Sequence, residues 1–329
     1  MVKIPKMTYA QLGLGSSNAT HPAFIVNGSE VDAIWISKYQ NIVQNGRAYS
    51  LPGQDPKTSI NFDSALAACT AKGAGWHMMT RAEWAMLALW CKNNGTMPKG
   101  NNNYGKDSSE SNYVAIPMSK DGANTARVAT GTGPLTWSHD GTPSGIWDLN
   151  GNVYEWVGGL RTVYGELQVL ANNNAADGEN PQTAASTLWK AIKGSDGTLI
   201  TPQGDGRTSG SVKLSWDGSK WTLTTSDPAT DTTYHGCTFE SIVCDSSIDD
   251  SAKPLLQALG LFKYDTTVGA YGGDYFYADV TQAERAFHCG GNWHNGADAG
   301  VFFAPGLNPR SSTSGTIGFR SAFVNLPSA

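Results

Sequence analysis

The histidines and cysteines of this 329-residue sequence are too scattered to predict a metal centre. Zinc and other transition metals are usually held by His and Cys residues at short, fixed spacings. No histidine belongs to H-E-x-x-H or H-x-H, and no two cysteines form C-x-x-C. We therefore expect no bound metal and no other cofactor. The residues concerned are His21, His77, His139, His235, His288, His294, Cys69, Cys91, Cys237, Cys244 and Cys289.

Motifs for nucleotide binding and for serine-hydrolase chemistry are also absent. There is no P-loop, no G-x-G-x-x-G after a predicted strand and no G-x-S-x-G elbow. The Gly-Thr-Gly at 131–133 predicts only a turn. We therefore expect a protein that is not an enzyme, unless its catalysis uses residues outside these patterns.

The composition excludes several classes of partner. Against 28 Asp and Glu there are 23 Lys and Arg, which gives a formal net charge of −5 and no basic surface for a nucleic acid. No stretch approaches the roughly 18 apolar residues of a membrane span, so we expect no membrane insertion. Residues 1–10 lack the apolar run of a signal peptide, which predicts synthesis in the cytoplasm.

The five cysteines are sparse and odd in number, which argues against the disulfide framework of small secreted domains. Cys237 and Cys244 are close enough along the chain to pair, but we favour free thiols in a chain made in the cytoplasm. The acidic stretch 244–250 leaves two interpretations open. One is a cation site, and the other, which we favour, is a solvated acidic loop.

The elements that must position any functional residue are predicted by periodicity. Alternating apolar and polar residues over 23–46 predict two strands joined by a tight turn at Asn27-Gly28. Helical spacing predicts a first helix over 61–73 and a second helix from Thr80 to Gly95, which a T-x-x-E capping box begins. Two short helices among many short strands indicate an α+β fold.

The composition of the sequence changes between about residues 160 and 267, where segments rich in Asn, Asp and Gly predict many loops. Within this segment Asp217-Gly218 predicts a hairpin, and apolar spacing over 251–262 predicts a short helix. We interpret 160–267 as a loop-rich insertion within one domain. The N-terminal part of that domain is 1–159, and its C-terminal part is 268–329.

Two segments carry more specific patterns. The first, 145–157, places a tight Asn-Gly turn between bulky aromatic residues, which would anchor a loop in a core. Glu155 in this segment needs a buried cationic partner if it points inward, and Arg320 and Arg161 are the candidates. The second segment is the C-terminal stretch from Cys289 onward.

These segments resemble the motifs of formylglycine-generating-enzyme-like proteins. Residues 145–156 are similar to that family's G-x-x-D-x-x-G-N-V-x-E-W, and residues 75–84 resemble its R-L-P-T-x-A-E-W. Residues 290–293 and 318–320 match its G-G-S-W and G-F-R. The matches run in family order and skip the insertion. The resemblance implies a C-type lectin fold of the formylglycine-generating-enzyme-like subclass.

The same family contains both oxidases and binding proteins. Its oxidases use a pair of cysteines between G-G-x-W and G-F-R to hold copper, and this chain has no cysteine between Trp293 and Gly318. The E-P-N and Q-P-D tripeptides of calcium-dependent sugar lectins are absent as well. A formylglycine-generating-type oxidase therefore stays an alternative to a binding protein, and we favour the binding protein.

Residues 290–302 more closely resemble the G-G-x-W-x-x-G-x-x-A-G-x-F opening of the variable regions in target proteins of diversity-generating retroelements. That family includes phage tropism determinants at tail-fibre tips. In it, a reverse transcriptase mutates template adenines, so Asn codons become variable while framework residues stay constant. The resemblance implies a hypervariable ligand-binding region over about 288–316.

This mechanism restricts which residues variable positions hold. Randomising the first two bases of AAC or AAT never yields Lys, Glu, Gln, Met or Trp. Residues 285–329 contain no Lys, Glu, Gln or Met, and the only Trp there, Trp293, is at a framework position. The alternative is an ordinary loop region that is rich in Ser, Gly and Asn.

The resemblance separates this region into scaffold and variable positions. We expect Gly290, Gly291, Trp293, Phe302, Gly318, Phe319, Arg320 and Trp156 to form the scaffold. The candidate ligand-binding positions are Asn292, His294, Asn295, Asp298, Phe303, Pro305, Gly306, Asn308, Pro309, Ser312, Ser314 and Gly315.

The sequence thus predicts a non-enzymatic protein that binds a receptor through C-terminal loops diversified by a retroelement. Its partner would be a protein or glycan on a host or target cell. The protein would work on a viral tail or at a cell surface after cytoplasmic synthesis. A fixed structural tail protein is a further alternative, and the sequence leaves open whether copies associate as homo-oligomers.

Overall fold

The computed structural model describes residues 1–111, 115–228 and 233–327. Over these residues the chain is a mixed α+β protein with few helices and many short strands, which confirms the predicted class. Ala329, which ends the predicted C-terminal part, lies outside the described residues. The helices are α1 (Phe62–Thr70), α2 (Arg81–Asn94) and α3 (Lys253–Ala258).

The strands are short, and most have two to four residues. In chain order they are β1 (Val2–Pro5), β2 (Ile25–Val26), β3 (Ser29–Glu30), β4 (Ala33–Ile36), β5 (Ile42–Gln44), β6 (Arg47–Tyr49), β7 (Trp76–Met78), β8 (Lys120–Asp121), β9 (Asn124–Thr125), β10 (Tyr154–Val163), β11 (Glu166–Val169), β12 (Lys190–Ile192), β13 (Leu199–Ile200), β14 (Lys213–Trp216), β15 (Trp221–Thr224), β16 (His235–Thr238), β17 (Val243–Cys244), β18 (Tyr275–Ala278), β19 (Arg285–Cys289), β20 (Ala304–Gly306), β21 (Ile317–Phe319) and β22 (Ser321–Val324).

Both predicted N-terminal helices are present, and α2 has its predicted capping box, but α1 ends at Thr70, before the predicted end at residue 73. The Asn61 side chain accepts a hydrogen bond from the Ser64 N–H at the start of α1. Thr80 and Glu83 form the complete capping box of α2, and Gly95 ends that helix in the left-handed conformation at φ 67°. Most of α2 is buried, so this helix forms part of the main core.

The predicted N-terminal hairpin turns at Asn27-Gly28, where both residues have positive φ. The predicted extent of its second strand is wrong. The strand ends at Glu30, and β4 pairs with β1 in a different sheet. The Val31 N–H still bonds to the Phe24 carbonyl across the hairpin, and the next residue, Asp32, accepts from the Lys6 N–H, so from there the chain follows β1 instead.

The two ends of the described chain meet in one four-stranded sheet. Its strand order is β1-β4-β22-β7, so the last strand of the chain lies between β4 and β7. Directly after the G-F-R motif the chain therefore enters the centre of this sheet. That arrangement ties the C-terminal segment to the N-terminal part of the fold.

The longest strand, β10, organises the second large sheet. It pairs antiparallel with β11 and β19 and parallel with β21, and its register with β19 shifts between Trp156 and Arg161. Strands β11 to β15 and β17 extend this sheet, so most strands of the segment 160–267 share it. The boundary between 159 and 160 falls inside β10, and the division into domain parts stays a prediction.

The other predictions for this segment have mixed outcomes. The hairpin at Asp217-Gly218 is confirmed by the pairing of β14 with β15. The helix predicted over 251–262 is shorter, because α3 spans six residues and Gly260 turns the chain at φ 60°. All five cysteines are free thiols, Cys237 and Cys244 included. No described helix is long and apolar enough to cross a bilayer.

Candidate functional site

A buried ion pair lies beneath the C-terminal segment. Arg320 Nη2 and Nε donate to Glu155 Oε1 and Oε2 at 2.8 and 2.9 Å, and both residues are almost completely buried. Arg320 also donates to the carbonyls of Ser37 and Trp147, each at 2.8 Å. Of the two partners that the sequence suggests for Glu155, the structure selects Arg320, in the bidentate geometry typical of strong Arg–carboxylate pairs.

The Asn-Gly turn of the 145–157 segment is held by a network of buried amides. Asn152 Nδ2 donates to Gln40 Oε1 at 2.8 Å, and Asn152 Oδ1 accepts from Asn101 Nδ2 at 3.1 Å and from the Val128 N–H at 2.9 Å. Gly151 has φ 74°, and a Cβ there would overlap the Asn101 backbone. The motif is therefore structural, and it fixes the position at which β10 begins.

The C-terminal segment leaves β19 through two consecutive glycines. Gly290 and Gly291 have φ of 88° and 85°, a region that residues with side chains rarely adopt. A Cβ on Gly291 would also overlap Ala299. The chain then forms a loop to β20, a second loop over 307–316, and finally β21 beside the start of β10.

The residues that the sequence assigns to the scaffold are all buried. Trp293 packs in a small cluster with Ala126 and Val153. Trp156 Nε1 donates to the Ile60 carbonyl at 3.0 Å, which ties β10 to the start of α1. The full set of buried scaffold residues is Trp156, Gly290, Gly291, Trp293, Phe302, Gly318, Phe319 and Arg320.

The candidate binding residues divide into three groups by exposure. His294, Pro309 and Gly315 are exposed, as a binding face requires. Five more are half-buried: Asn295, Asp298, Asn308, Ser312 and Ser314. The remaining four are buried, so for them the expectation of an exposed binding position is wrong: Asn292, Phe303, Pro305 and Gly306.

Two of the four buried candidates, Asn292 and Phe303, make structural contacts within the fold. Asn292 closes a tight turn, because its Oδ1 accepts from the His294 N–H at 3.0 Å and its own N–H donates to Asn295 Oδ1 at 2.8 Å. Phe303 is only 1% exposed and stacks on Tyr154 with ring centroids 5.7 Å apart. Neither side chain is available to a ligand in this conformation.

The other two belong to strand β20. Pro305 is paired with Tyr277 of β18, and Gly306 packs against the Phe287 ring. A Cβ on Gly306 would lie 2.6 Å from that ring, too close for any larger residue without a shift. Strand pairing and close packing therefore remove both positions from the binding face.

The structure adds a surface that the sequence reasoning missed, formed by Tyr154, Tyr234, Tyr275 and Tyr277, which we call the tyrosine face. Tyr234 is 59% exposed and the other three are half-buried. Tyr277 stacks with Tyr234 at 5.3 Å and with Tyr275 at 5.5 Å between ring centroids. The strand pattern Tyr-Phe-Tyr-Ala of β18 was the available signal, since alternate residues of a strand point to opposite sides.

The tyrosine face adjoins the first C-terminal loop. Tyr277 donates its hydroxyl to Asp298 Oδ2 at 3.3 Å. Tyr154 has Asn295 as a side-chain hydrogen-bond partner and Phe303 stacked against its ring. Tyrosines from three parts of the chain and polar residues of the loop thus form one continuous surface.

The second C-terminal loop, 307–316, also contacts the surroundings of Tyr154. The Asn308 carbonyl accepts from the Ala286 N–H at 2.9 Å, two residues before His288, whose ring centroid lies 4.4 Å from that of Tyr154. At the far end of this loop the Thr316 carbonyl accepts from the Tyr154 N–H at 2.9 Å. Between these ends the loop extends towards α1, where the Ser314 carbonyl accepts from the Ser59 N–H. Ser312, Ser314 and Gly315 therefore extend the surface away from the tyrosines.

The titratable groups of this surface favour neutral forms. Burial raises the pKa of Tyr154 to about 12, opposed in part by the hydrogen bond with Asn295. Burial, followed by the charge of Asp298, raises the pKa of Tyr277 as well. Burial lowers the pKa of His288 to about 3, so this imidazole is neutral at physiological pH. The surface offers aromatic rings and neutral hydroxyl groups for contact.

The cysteine nearest the G-G-x-W motif, Cys289, is not activated for chemistry. Cys289 is fully buried, and its Sγ accepts from Arg81 Nη1 at 3.1 Å. Burial still raises the pKa of this thiol to about 11, so it stays protonated, whereas thiolates are the nucleophiles and metal ligands. Among the described residues no group of three or more His, Cys, Asp or Glu side chains is arranged to hold a metal ion.

Comparisons with known proteins find similarity to solved structures alone. No family model and no curated protein matches the chain. Over 98% of its length the chain is similar to the solved structure of the Major Tropism Determinant P3c variant, at 12% sequence identity and a TM-score of 0.31. The match spans 62% of the length of that protein. Values this low establish neither a shared fold nor a shared function, so the proposal below rests on the residues described above.

Proposed function

We propose that this protein is a non-enzymatic receptor-binding protein. Its binding site is the tyrosine face together with the exposed and half-buried residues of the two C-terminal loops. The observation that carries the proposal is the set of four partly exposed tyrosines beside loops rich in Asn, Ser and Gly. Tyr277 stacks on Tyr234 and on Tyr275, and the Phe303 ring lies between Tyr277 and Tyr154. Tyrosine supplies large contact area at low entropic cost, and Asn, Ser and Gly supply adaptable hydrogen bonds, as in antibody paratopes.

The finer proposal follows the sequence resemblance. The chain would have a C-type lectin fold of the formylglycine-generating-enzyme-like subclass, and a retroelement would diversify its C-terminal loops. The burial of Asn292, Phe303, Pro305 and Gly306 limits that diversity, because substitution there disturbs packing before it changes a surface. The protein would act on a viral tail or at a cell surface, and its partner would be a protein or glycan on a host cell.

The site combines aromatic residues from outside the region 288–316 with polar residues from inside it, and this combination supports the proposal. The tyrosines are encoded outside the region 288–316 and would give every variant the same aromatic anchor. The loop residues Asn295 and Asp298 adjoin that anchor, and they would set specificity together with the exposed His294. Aromatic anchors surrounded by adaptable polar contacts are the usual arrangement of binding hot spots.

The rival enzymatic proposal has less support. A formylglycine-generating-type oxidase requires a reactive cysteine pair, and the cysteine nearest the motif, Cys289, is a lone buried thiol bonded to Arg81. Burial lowers the pKa of His288 away from neutral pH, which makes it a poor group for proton transfer. Burial likewise raises the pKa of Tyr154, Tyr234 and Tyr277 away from neutral pH. The residues therefore favour binding over turnover.

Cell binding by surface variants tests the proposal. We expect the double variant Tyr234→Ala/His294→Ala, labelled with a fluorophore, to stain cells from the source community of the gene at least tenfold more weakly than the wild type, by flow cytometry. The thermal midpoint should be unchanged, since both side chains are exposed. The control is Tyr264→Ala, which removes another exposed tyrosine. Equal loss in the control, or undiminished staining by the double variant, would contradict the assigned site.

A further inference from the structure

A cavity of about 210 Å³ lies beside the first C-terminal loop, and none of the four residues of the tyrosine face lines it. Ala297, Ala299 and Gly300 of the loop form part of its wall. Met97, Pro98 and Val301 give it an apolar side, and Asn102 and Asn150 give it a polar one. A concave site with apolar walls and a few convergent polar groups is the usual form of a small-molecule site.

One carboxyl group in this cavity lacks a partner for one of its oxygens. Asp274 is only 3% exposed, and its Oδ2 accepts from the Phe302 N–H at 2.8 Å. Its Oδ1 has no hydrogen-bond partner among the described residues. A Cβ on Gly300 would overlap both carboxylate oxygens, and one on Gly272 would lie 3.1 Å from Oδ1. Two glycines therefore make the space that the carboxyl group occupies.

The other charged groups that line the cavity are already paired. Asp107 Oδ2 accepts from the Gly100 N–H and from Asn102 Nδ2, each at 3.0 Å, and Asp107 Oδ1 accepts from Ser109. Lys99 Nζ lies 3.3 Å from Glu110 Oε1. Asp274 is thus the lining carboxyl group that has an oxygen free to accept.

A buried carboxyl group with an open oxygen is costly unless a donor or cation completes it. Burial raises the pKa of Asp274 well above its usual range, as expected for such a group. Perturbed carboxyl groups in a cleft mark candidate binding sites. A small cation with N–H donors would both pair with the charge and satisfy Oδ1.

We propose that this cavity binds the primary ammonium group of a short alkylamine, with Asp274 Oδ1 accepting from the ammonium and Met97, Pro98 and Val301 contacting the alkyl chain. The source of the ammonium is either a free amine or a lysine side chain, which present the same chemistry. This site is separate from the tyrosine face. It does not depend on the proposed receptor binding.

Titration of the protein with n-butylammonium chloride tests the proposal, followed by backbone amide shifts in NMR. We expect saturable binding at one site that shifts the amides of Gly300 and Phe302, and no binding of tetramethylammonium, which has no N–H to donate. Asp274→Asn keeps the shape and the acceptor for Phe302, and it should weaken binding at least tenfold. Asp121→Asn, at an exposed aspartate elsewhere, should bind like the wild type.

A second variant keeps the test valid if Asp274→Asn does not fold. Ala297 is exposed and lines the cavity, so Ala297→Leu should obstruct the cavity without unfolding the protein, and Ala123→Leu is its exposed control.

A parallel titration with Nα-acetyl-lysine amide distinguishes the two sources of the ammonium group, and binding of either probe supports the proposal. Absence of saturable binding of both probes would overturn it. So would affinity that survives both Asp274→Asn and Ala297→Leu.

Discussion

A glutamate enclosed by aromatic residues is stable only with a cation beside it, and Arg320 supplies that cation to Glu155 across 165 positions of sequence. Every donor that Arg320 directs inward finds a carboxylate or carbonyl oxygen. The pair joins the start of β10 to the chain between β21 and β22. Loss of either charge would leave the other buried and unpaired.

We therefore expect Glu155→Gln to lower the free energy of unfolding by about 3 to 5 kcal/mol, the usual effect of breaking a buried ion pair. Asp196→Asn is the control, because it breaks a solvent-exposed pair with Lys193 and should leave the unfolding midpoint unchanged. Chemical denaturation of both variants provides the measurement. Equal effects of the two substitutions would contradict the structural role of the buried pair.

The pKa of His288 predicts a pH dependence of stability. Its folded-state pKa is about 3 because of burial, whereas an unfolded histidine titrates near pH 6.5. The neutral ring thus contributes stability above pH 6.5, and this contribution is lost as the pH falls towards 3, because only the unfolded chain takes up the proton. The expected loss is about 1.4 kcal/mol per pH unit below pH 6.

His288→Phe removes this proton uptake while keeping a ring beside Tyr154. The difference in unfolding free energy between the wild type and this variant should shift in favour of the variant as the pH falls from 6 to 4. The buried His21, whose pKa burial lowers to about 4, is present in both proteins and cancels. A difference that is constant across this range would show that His288 titrates normally.

At the residue scale, the sequence predicted the ionic partner of Glu155 better than it predicted which loop residues are exposed. The need of Glu155 for an arginine follows from its aromatic neighbours alone. The burial of Phe303 and Gly306 does not follow from their residue types, because it depends on Tyr154 and Phe287, which come from other strands. Their assignment to the surface was therefore wrong.

At the scale of elements, two adjacent residues of the first C-terminal loop have different roles. One is buried and anchors the loop, and the other is exposed on its surface. Trp293 is 7% exposed and packs with Ala126 and Val153, whereas the next residue, His294, is exposed. We expect Trp293→Ala to cost about 3 to 5 kcal/mol of stability, as buried aromatic truncations do. His294→Ala is its control and should change stability by less than about 0.5 kcal/mol.

Thermal and denaturant unfolding of these two variants measures the contrast. A Trp293→Ala variant with wild-type stability would refute the anchoring role of the tryptophan. A strongly destabilised His294→Ala variant would show that the loop surface belongs to the core.

Elements with local signals were predictable, and those built from distant contacts were not. The caps at Asn61, Thr80 and Gly95 fix the ends of α1 and α2 within the sequence itself. The tyrosine face instead depends on the pairing of β16 with β18 and of β18 with β20, which are separated by long loops. Strands of three or four residues carry too little pattern to specify such pairings.

At the scale of the whole molecule, the two sheets hold the proposed site on a rigid base. Strand β22 joins the terminal sheet directly after Arg320, and β10 holds β19 and β21 on its two sides. Strand β20, which lies between the loops 290–303 and 307–316, pairs with β18, so each loop is fixed at both ends. A rigid scaffold of this kind tolerates substitution in its loops, which a diversified binding protein requires.

The net charge of −5 and the small share of charged residues are consistent with the proposed role in receptor binding. A neutral polar surface limits non-specific attraction, so recognition falls to shape and hydrogen bonding at the tyrosine face and its loops. The α+β class was predictable from the sequence at this scale. The way in which the segment 160–267 extends the sheet of β10 was not, because its strands are joined by irregular loops.

The most direct test is deep sequencing of the 3′ end of the gene across its source population, with substitutions scored codon by codon. The account predicts changes at adenine-bearing codons of the exposed and half-buried loop residues, and constancy at Trp156, Trp293, Gly306 and the 318–320 motif. It also predicts that Tyr154, Tyr234, Tyr275 and Tyr277 do not vary. A uniform 3′ end, or variation as frequent at the buried positions as at His294 and Asp298, would contradict it.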